Sequence, residues 1–239
     1  MQAEYNSTNQ LTETVCVSLL MSNAPKCTDL AAIVLCGGQS TRMGVDKATV
    51  VFGHETLLQR VCRLTLTTAA PVVVVAAGNQ QLPELPNGVM VARDLFPNAG
   101  PLAGLLTGLR CLRDQLPMRW PELMIWASTC DAPFVNASVI RHLQQRLAES
   151  AACPLVAVTH EGKQNPFVAV YRSSLLQSME AQFEAGERKA QALLQHPHAI
   201  LIDSGELAAI APEFLFLRNI NDNQQLAEAR MRLDIPHNN

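Results

Sequence analysis

Residues 35–47 read LCGGQSTRMGVDK: an apolar end, two adjacent glycines, an arginine, a third glycine and an Asp-Lys pair. Glycine has no Cβ, so Gly37 and Gly38 let backbone N–H groups close on an anion. A helix-like segment after such a loop adds its own N-terminal donors. Arg42 offers a planar fork of donors and Lys47 a compact ammonium, and both suit phosphate oxygens. Together they make a polyphosphate cradle. Two familiar phosphate loops are excluded by spacing. GxGxxG fails because Gly37 and Gly38 are adjacent and the next glycine is Gly44. The GxxxxGK(S/T) loop fails because Val45 and Asp46 separate Gly44 from Lys47.

These groups need elements that bring them to one place. AAIVLC (31–36) is continuously apolar, as a strand buried on both faces must be. Leu57, Leu58, Val61 and Leu64 recur at helical spacing, and VVVVAA (72–77) reads as a second buried strand rich in β-branched residues. VMVA (89–92) reads as a third strand, Pro101 opens a helix with Leu102, Leu105, Leu106, Leu109 and Leu112 inward, and ELMIWAS (122–128) reads as a fourth strand. Asn136 caps a helix to about residue 149. The second half continues with strand-like LVAVT, PFVAVY, AILID and FLFLRNI, helices near 173–183 and 187–195, and a closing helix from 222. This rhythm predicts an α/β fold, a mostly parallel sheet with helices on both faces. Ligands of such sheets bind beyond the carboxyl ends of the strands. There the glycine-rich and acidic segments fall: 37–47, 93–101 with Asp94, and 130–136 with Asp131.

Composition narrows the function classes. A formal charge of −3 argues against a nucleic-acid footprint, so the basic residues act locally on a small anion. No apolar run approaches the roughly 20 residues that cross a bilayer, so no membrane partner is expected. Seven cysteines at scattered spacings read as reduced thiols of a cytoplasmic protein. Residues 1–29 hold one short apolar patch, VCVSLLM, without a basic start, and read as a poorly ordered extension rather than a signal peptide. Residues 30–239 are expected to form a single domain.

The glycine-rich string resembles the LxGGxSxRMGxDK signature of the molybdenum cofactor guanylyltransferases. NAGPLAGLLTGL (98–109), CDAPF (130–134), AGERK (185–189) and NINDNQQL (219–226) resemble later segments of that family, in the same order. The resemblance runs from about residue 31 to 230 and implies a Rossmann-like, nucleotide-diphospho-sugar-transferase-like fold. It implies transfer of GMP from GTP to molybdopterin, with Mg2+ as cofactor and release of pyrophosphate. Cofactor-receiving enzymes or chaperones would be further partners.

By the same resemblance, Leu35, Cys36, Gly37, Gly38, Arg42 and Lys47 hold the nucleotide and its phosphates. Lys47 stabilises charge on the α-phosphate, and Asp46 orients Lys47. Asp131 holds Mg2+ and Asp94 reads the nucleotide, since a carboxylate can accept from guanine N1–H and N2–H2, a donor pair adenine lacks. Asn79 stands near where the family often carries an asparagine that contacts the base. Asn219 and Asn221, alternate residues of an expected strand end and so on one face, form an acceptor or metal region with Arg188. Cys36 departs from the family's usual alanine. With no histidine suggested beside it, the thiol is not expected to act as a nucleophile. Two rivals stand beside this reading. One is a sister nucleotidyltransferase that uses CTP on molybdopterin or on a sugar or polyol phosphate. The other is a non-catalytic nucleotide-binding protein.

Overall fold

The computed structural model of the protein describes residues 29–36 and 45–233. Seven strands form one sheet in the order β5-β4-β1-β6-β8-β7-β9. They are β1 (Leu30–Leu35), β4 (Val72–Ala76), β5 (Val89–Arg93), β6 (Met124–Thr129), β7 (Leu155–His160), β8 (Lys163–Arg172) and β9 (Ile200–Asp203). β2 (Val51–Phe52) and β3 (Glu55–Thr56) make a small separate hairpin. The helices are α1 (Leu57–Thr65), α2 (Pro101–Gln115), α3 (Ala137–Ala148), α4 (Leu175–Glu184) and α5 (Asn223–Leu233). Pairings β1–β4, β1–β6, β4–β5 and β7–β9 are parallel, whereas β8 runs antiparallel to both β6 and β7. None of the described helices is long and apolar enough to cross a membrane.

β1 lies at the centre and every residue in it is buried. Its alternate side chains feed two layers: Leu30, Ala32 and Val34 pack on one face, and Ala31, Ile33 and Leu35 on the other. α1 and α3 cover the first face, and α2 and α4 the second. Their starts follow local chemistry. Thr56 and Gln59 form a reciprocal capping box at α1, and Asn136 Oδ1 accepts from the Ser138 and Val139 amides at α3. Pro101 occupies the first turn of α2, where a missing N–H costs nothing.

α2 packs unusually close to β1. A Cβ on Gly104 would stand 3.1 Å from Leu35, and one on Gly108 would stand 2.7 Å from Ile33. The first turn of α2 is therefore held directly over the end of β1, which forms one wall of the site.

Two expected elements differ. FLFLRNI is not a strand: Leu215–Leu217 form a 3-10 turn entered through Phe214 at φ 49°, and residues 218–222 are irregular. Phe216 and Ile220 are buried in different clusters, so the run wraps from one to the other instead of pairing along an edge. The helix expected over 187–195 is a shorter 3-10 segment, Ala190–Gln195.

Candidate active site

A cleft of about 940 Å3 opens beyond the carboxyl ends of β1, β4, β5 and β6. Leu35, Cys36, Lys47, Asn79, Asp94 and Asp131 line it, so the structure brings six of the expected site residues together. Gly37, Gly38 and Arg42 lie outside the described residues, as does the extension before residue 29.

At its floor, Lys47 Nζ donates to Asp131 Oδ2 at 2.6 Å and to Asn221 Oδ1 at 2.8 Å. Thr129 Oγ1 donates to the other carboxylate oxygen of Asp131 at 2.5 Å. Both members of the ion pair are largely shielded, with side chains 17% and 14% exposed, so their attraction is less screened than on an open surface.

Each member is positioned by its own element. Lys47 begins a 3-10 turn, Lys47–Thr49, capped by Asp46, whose Oδ1 accepts from the Ala48 amide at 2.9 Å. Asp131 follows β6, where the Cys130 amide donates to the carbonyl of Leu35, the last residue of β1, and continues the β1–β6 pairing one residue past β6. Asn221 is set by its neighbour Ile220. The Ile220 amide donates to the Asp131 carbonyl at 2.8 Å, and its side chain is buried with Phe52, Leu57 and Leu226.

Asp94 follows β5. Its Oδ1 accepts from the Phe96 amide at 3.0 Å and from Thr107 Oγ1 at 3.4 Å, and its second oxygen has no partner among the described residues. Cys36 and Cys130 lie side by side in the cleft floor. A hydrogen bond that the Cys130 thiol donates to Cys36, with burial, holds that thiol well above the ordinary thiol range, so it stays protonated and is a poor nucleophile.

Two expected residues are placed elsewhere. Asn219 faces a separate groove with Phe134, Arg218 and Gln225, because residues 218–222 belong to no strand and the expected alternation does not hold there. The Arg188 guanidinium lies 4.2 Å over the Phe183 ring and donates to the Phe183 and Glu187 carbonyls. Its backbone is what meets the site: the Arg188 carbonyl accepts from the Leu102 amide at 3.2 Å and braces the first turn of α2.

Thr129 and Gln80 are structural partners that the sequence reading missed. Thr129 was findable, since residues two apart at a strand end share a face and put its hydroxyl beside Asp131. Gln80 was not, because its partners lie 34 and 44 positions away.

The family model described as MobA-like NTP transferase domain matches residues 32–200. A Mycobacterium tuberculosis protein named probable molybdenum cofactor guanylyltransferase is 35% identical over 181 residues, covering 75% of this chain and 86% of that one. A Mycobacterium ulcerans protein of the same name is 33% identical over 186 residues, covering 76% and 88%. Among solved structures, molybdopterin-guanine dinucleotide biosynthesis protein A from Archaeoglobus fulgidus superposes with a TM-score of 0.67. At 22% identity, with 85% of this chain and 98% of that one covered, it shows a common fold. The sheet, the cleft at its carboxyl edge and these matches agree: the chain belongs to the MobA-like NTP transferase family and is a nucleotidyltransferase.

Proposed function

We propose that the chain transfers GMP from GTP to the terminal phosphate of molybdopterin, giving the pterin guanine dinucleotide and pyrophosphate. The observation that carries this is the convergence of Lys47, Asp131 and Asn221 on one point of the cleft floor. The names of the relatives supply the substrates. A cleft of about 940 Å3 stands near the top of the usual ligand-pocket range and has room for a nucleotide and an acceptor together. The Asp94 oxygen that has no partner among the described residues can accept from the guanine edge.

In this reading an oxygen of the pterin phosphate attacks the α-phosphorus in line as the bond to the β-phosphate oxygen breaks. The attacking phosphate is already anionic, so no general base is required. Lys47 swings from Asp131 to the α-phosphate and offsets the charge that builds there; catalysis is then positioning and electrostatics. Asp131 and Asn221 fit Mg2+, since two oxygen ligands already converge on one cationic atom and Mg2+ takes few protein oxygens beside phosphates. When bound, Mg2+ supplies charge neutralisation at the phosphate oxygens. The free thiols among the described residues suit the reducing cytoplasm.

The test mixes protein, Mg2+, molybdopterin and each of the four ribonucleoside triphosphates, and measures pterin dinucleotide. We expect the guanine product, with kcat/KM for GTP above that for ATP by about a hundredfold or more, as base-edge hydrogen bonding gives. A clear preference for CTP would contradict the substrate assignment. Tight GTP binding without transfer would instead favour a nucleotide sensor.

A further inference from the structure

Gln80 sits in the turn after β4 with all of its amide engaged. Its Nε2 donates to both oxygens of the Asp46 carboxylate, at 2.9 and 2.8 Å, and to the Cys36 carbonyl at 3.0 Å. Its Oε1 accepts from the Ala77 amide at 3.1 Å. The orientation of the amide is forced. Reversed, it would turn a carbonyl toward a carboxylate and another carbonyl, and an amino group toward an N–H donor. The turn is itself braced from β5, where Arg93 Nη1 donates to the Ala77 carbonyl at 3.0 Å and the Gln80 carbonyl at 2.9 Å. Asp46, the residue Gln80 grips, caps the turn that begins with Lys47.

We propose that Gln80 is a positioning residue for nucleotidyl transfer. It ties Cys36, at the end of β1, to Asp46, and through Asp46 it fixes the turn that aims Lys47 into the cleft. It needs no contact with substrate. Its effect depends on the amide: a glutamate of the same size keeps the acceptor for Ala77 but loses both donors and sets a carboxylate against Asp46. The neutral side chain is thus the one that fits between an acid, a carbonyl and an N–H. This inference rests on the reading of Lys47 given above.

The test compares wild type with Gln80→Ala, Gln80→Glu, Asp46→Ala and the Asp46→Ala/Gln80→Ala pair, using hydrogen exchange and steady-state kinetics. Without nucleotide, the Ala48 amide, which donates to Asp46, should exchange about fivefold or more faster in Gln80→Ala at a nearly unchanged melting temperature. Per folded enzyme, kcat should fall about 10- to 100-fold, as when partners that orient a site are lost, with the KM for GTP within about threefold. Gln80→Glu should be at least as impaired as Gln80→Ala. In the Asp46→Ala background, removal of Gln80 should cost little more, since both act through one turn. Wild-type exchange at Ala48, wild-type kcat in Gln80→Ala, or additive losses in the pair would each overturn the proposal. A wild-type protein that transfers nothing would defeat the reading of Lys47, and the exchange comparison would still decide whether Gln80 holds the turn.

Discussion

Lys47 meets Asp131, 84 residues away, and Asn221, 174 residues away, in one hydrogen-bonded node. Lys47→Ala separates its two roles by size. The pair is largely shielded, so loss of Lys47 leaves the Asp131 carboxylate with Thr129 as its remaining side-chain partner among the described residues and costs about 1–3 kcal/mol of folding. A preorganised cation at developing charge is worth about 100- to 1,000-fold in kcat. Lys47→Ala should therefore retain its fold, with a melting temperature lowered by no more than about 10 °C, while transfer falls by at least two orders of magnitude. Turnover at the wild-type rate would refute the role. Lys47 and Asp131 were legible in the sequence because charge beside glycine, and acid after a buried run, mark chemistry directly. Gln80 was not, because a neutral polar side chain whose partners lie 34 and 44 positions away gains its meaning only from the fold. Thr129, two residues from Asp131, was within reach of strand alternation. Asn219 was misplaced with Asn221 because strand alternation was assumed where the chain is irregular.

Among the elements, α2 sets one wall of the cleft, and its start depends on Gly100. That residue has φ 87° and ψ 176°, a region that side chains rarely enter, and a Cβ there would stand 2.8 Å from the Arg188 carbonyl. Strain of about 1–3 kcal/mol and the clash act together, so Gly100→Ala should lower unfolding free energy by about 2 kcal/mol or more in urea titration. Because Gly100 and Pro101 line the cleft, kcat/KM should fall as well. Unchanged stability would show that the Arg188 loop yields freely. Most elements could be read beforehand: buried strands are uninterrupted apolar runs, α1 carries leucines and valine at helical spacing, and Asn136 announces α3. The run at 214–220 deceived because a short apolar stretch has no period of its own. Whether it pairs or wraps depends on whether a strand edge lies beside it.

At the scale of the whole molecule, element types were readable but strand order was not. Local patterning carries no record that β8 inserts antiparallel between β6 and β7. The site was legible nonetheless, because the glycine-rich and acidic segments each follow a strand of the parallel half, β1, β5 or β6, and such strands end on the same side. The measurement that bears most directly on the account is a crystal structure with Mg2+ and a GTP analogue that cannot release pyrophosphate. We predict Lys47 Nζ on an α-phosphate oxygen, Asp131 turned to the metal and the guanine edge against Asp94. A triphosphate bound elsewhere, with the Lys47–Asp131 ion pair intact beneath an empty cleft, would contradict it.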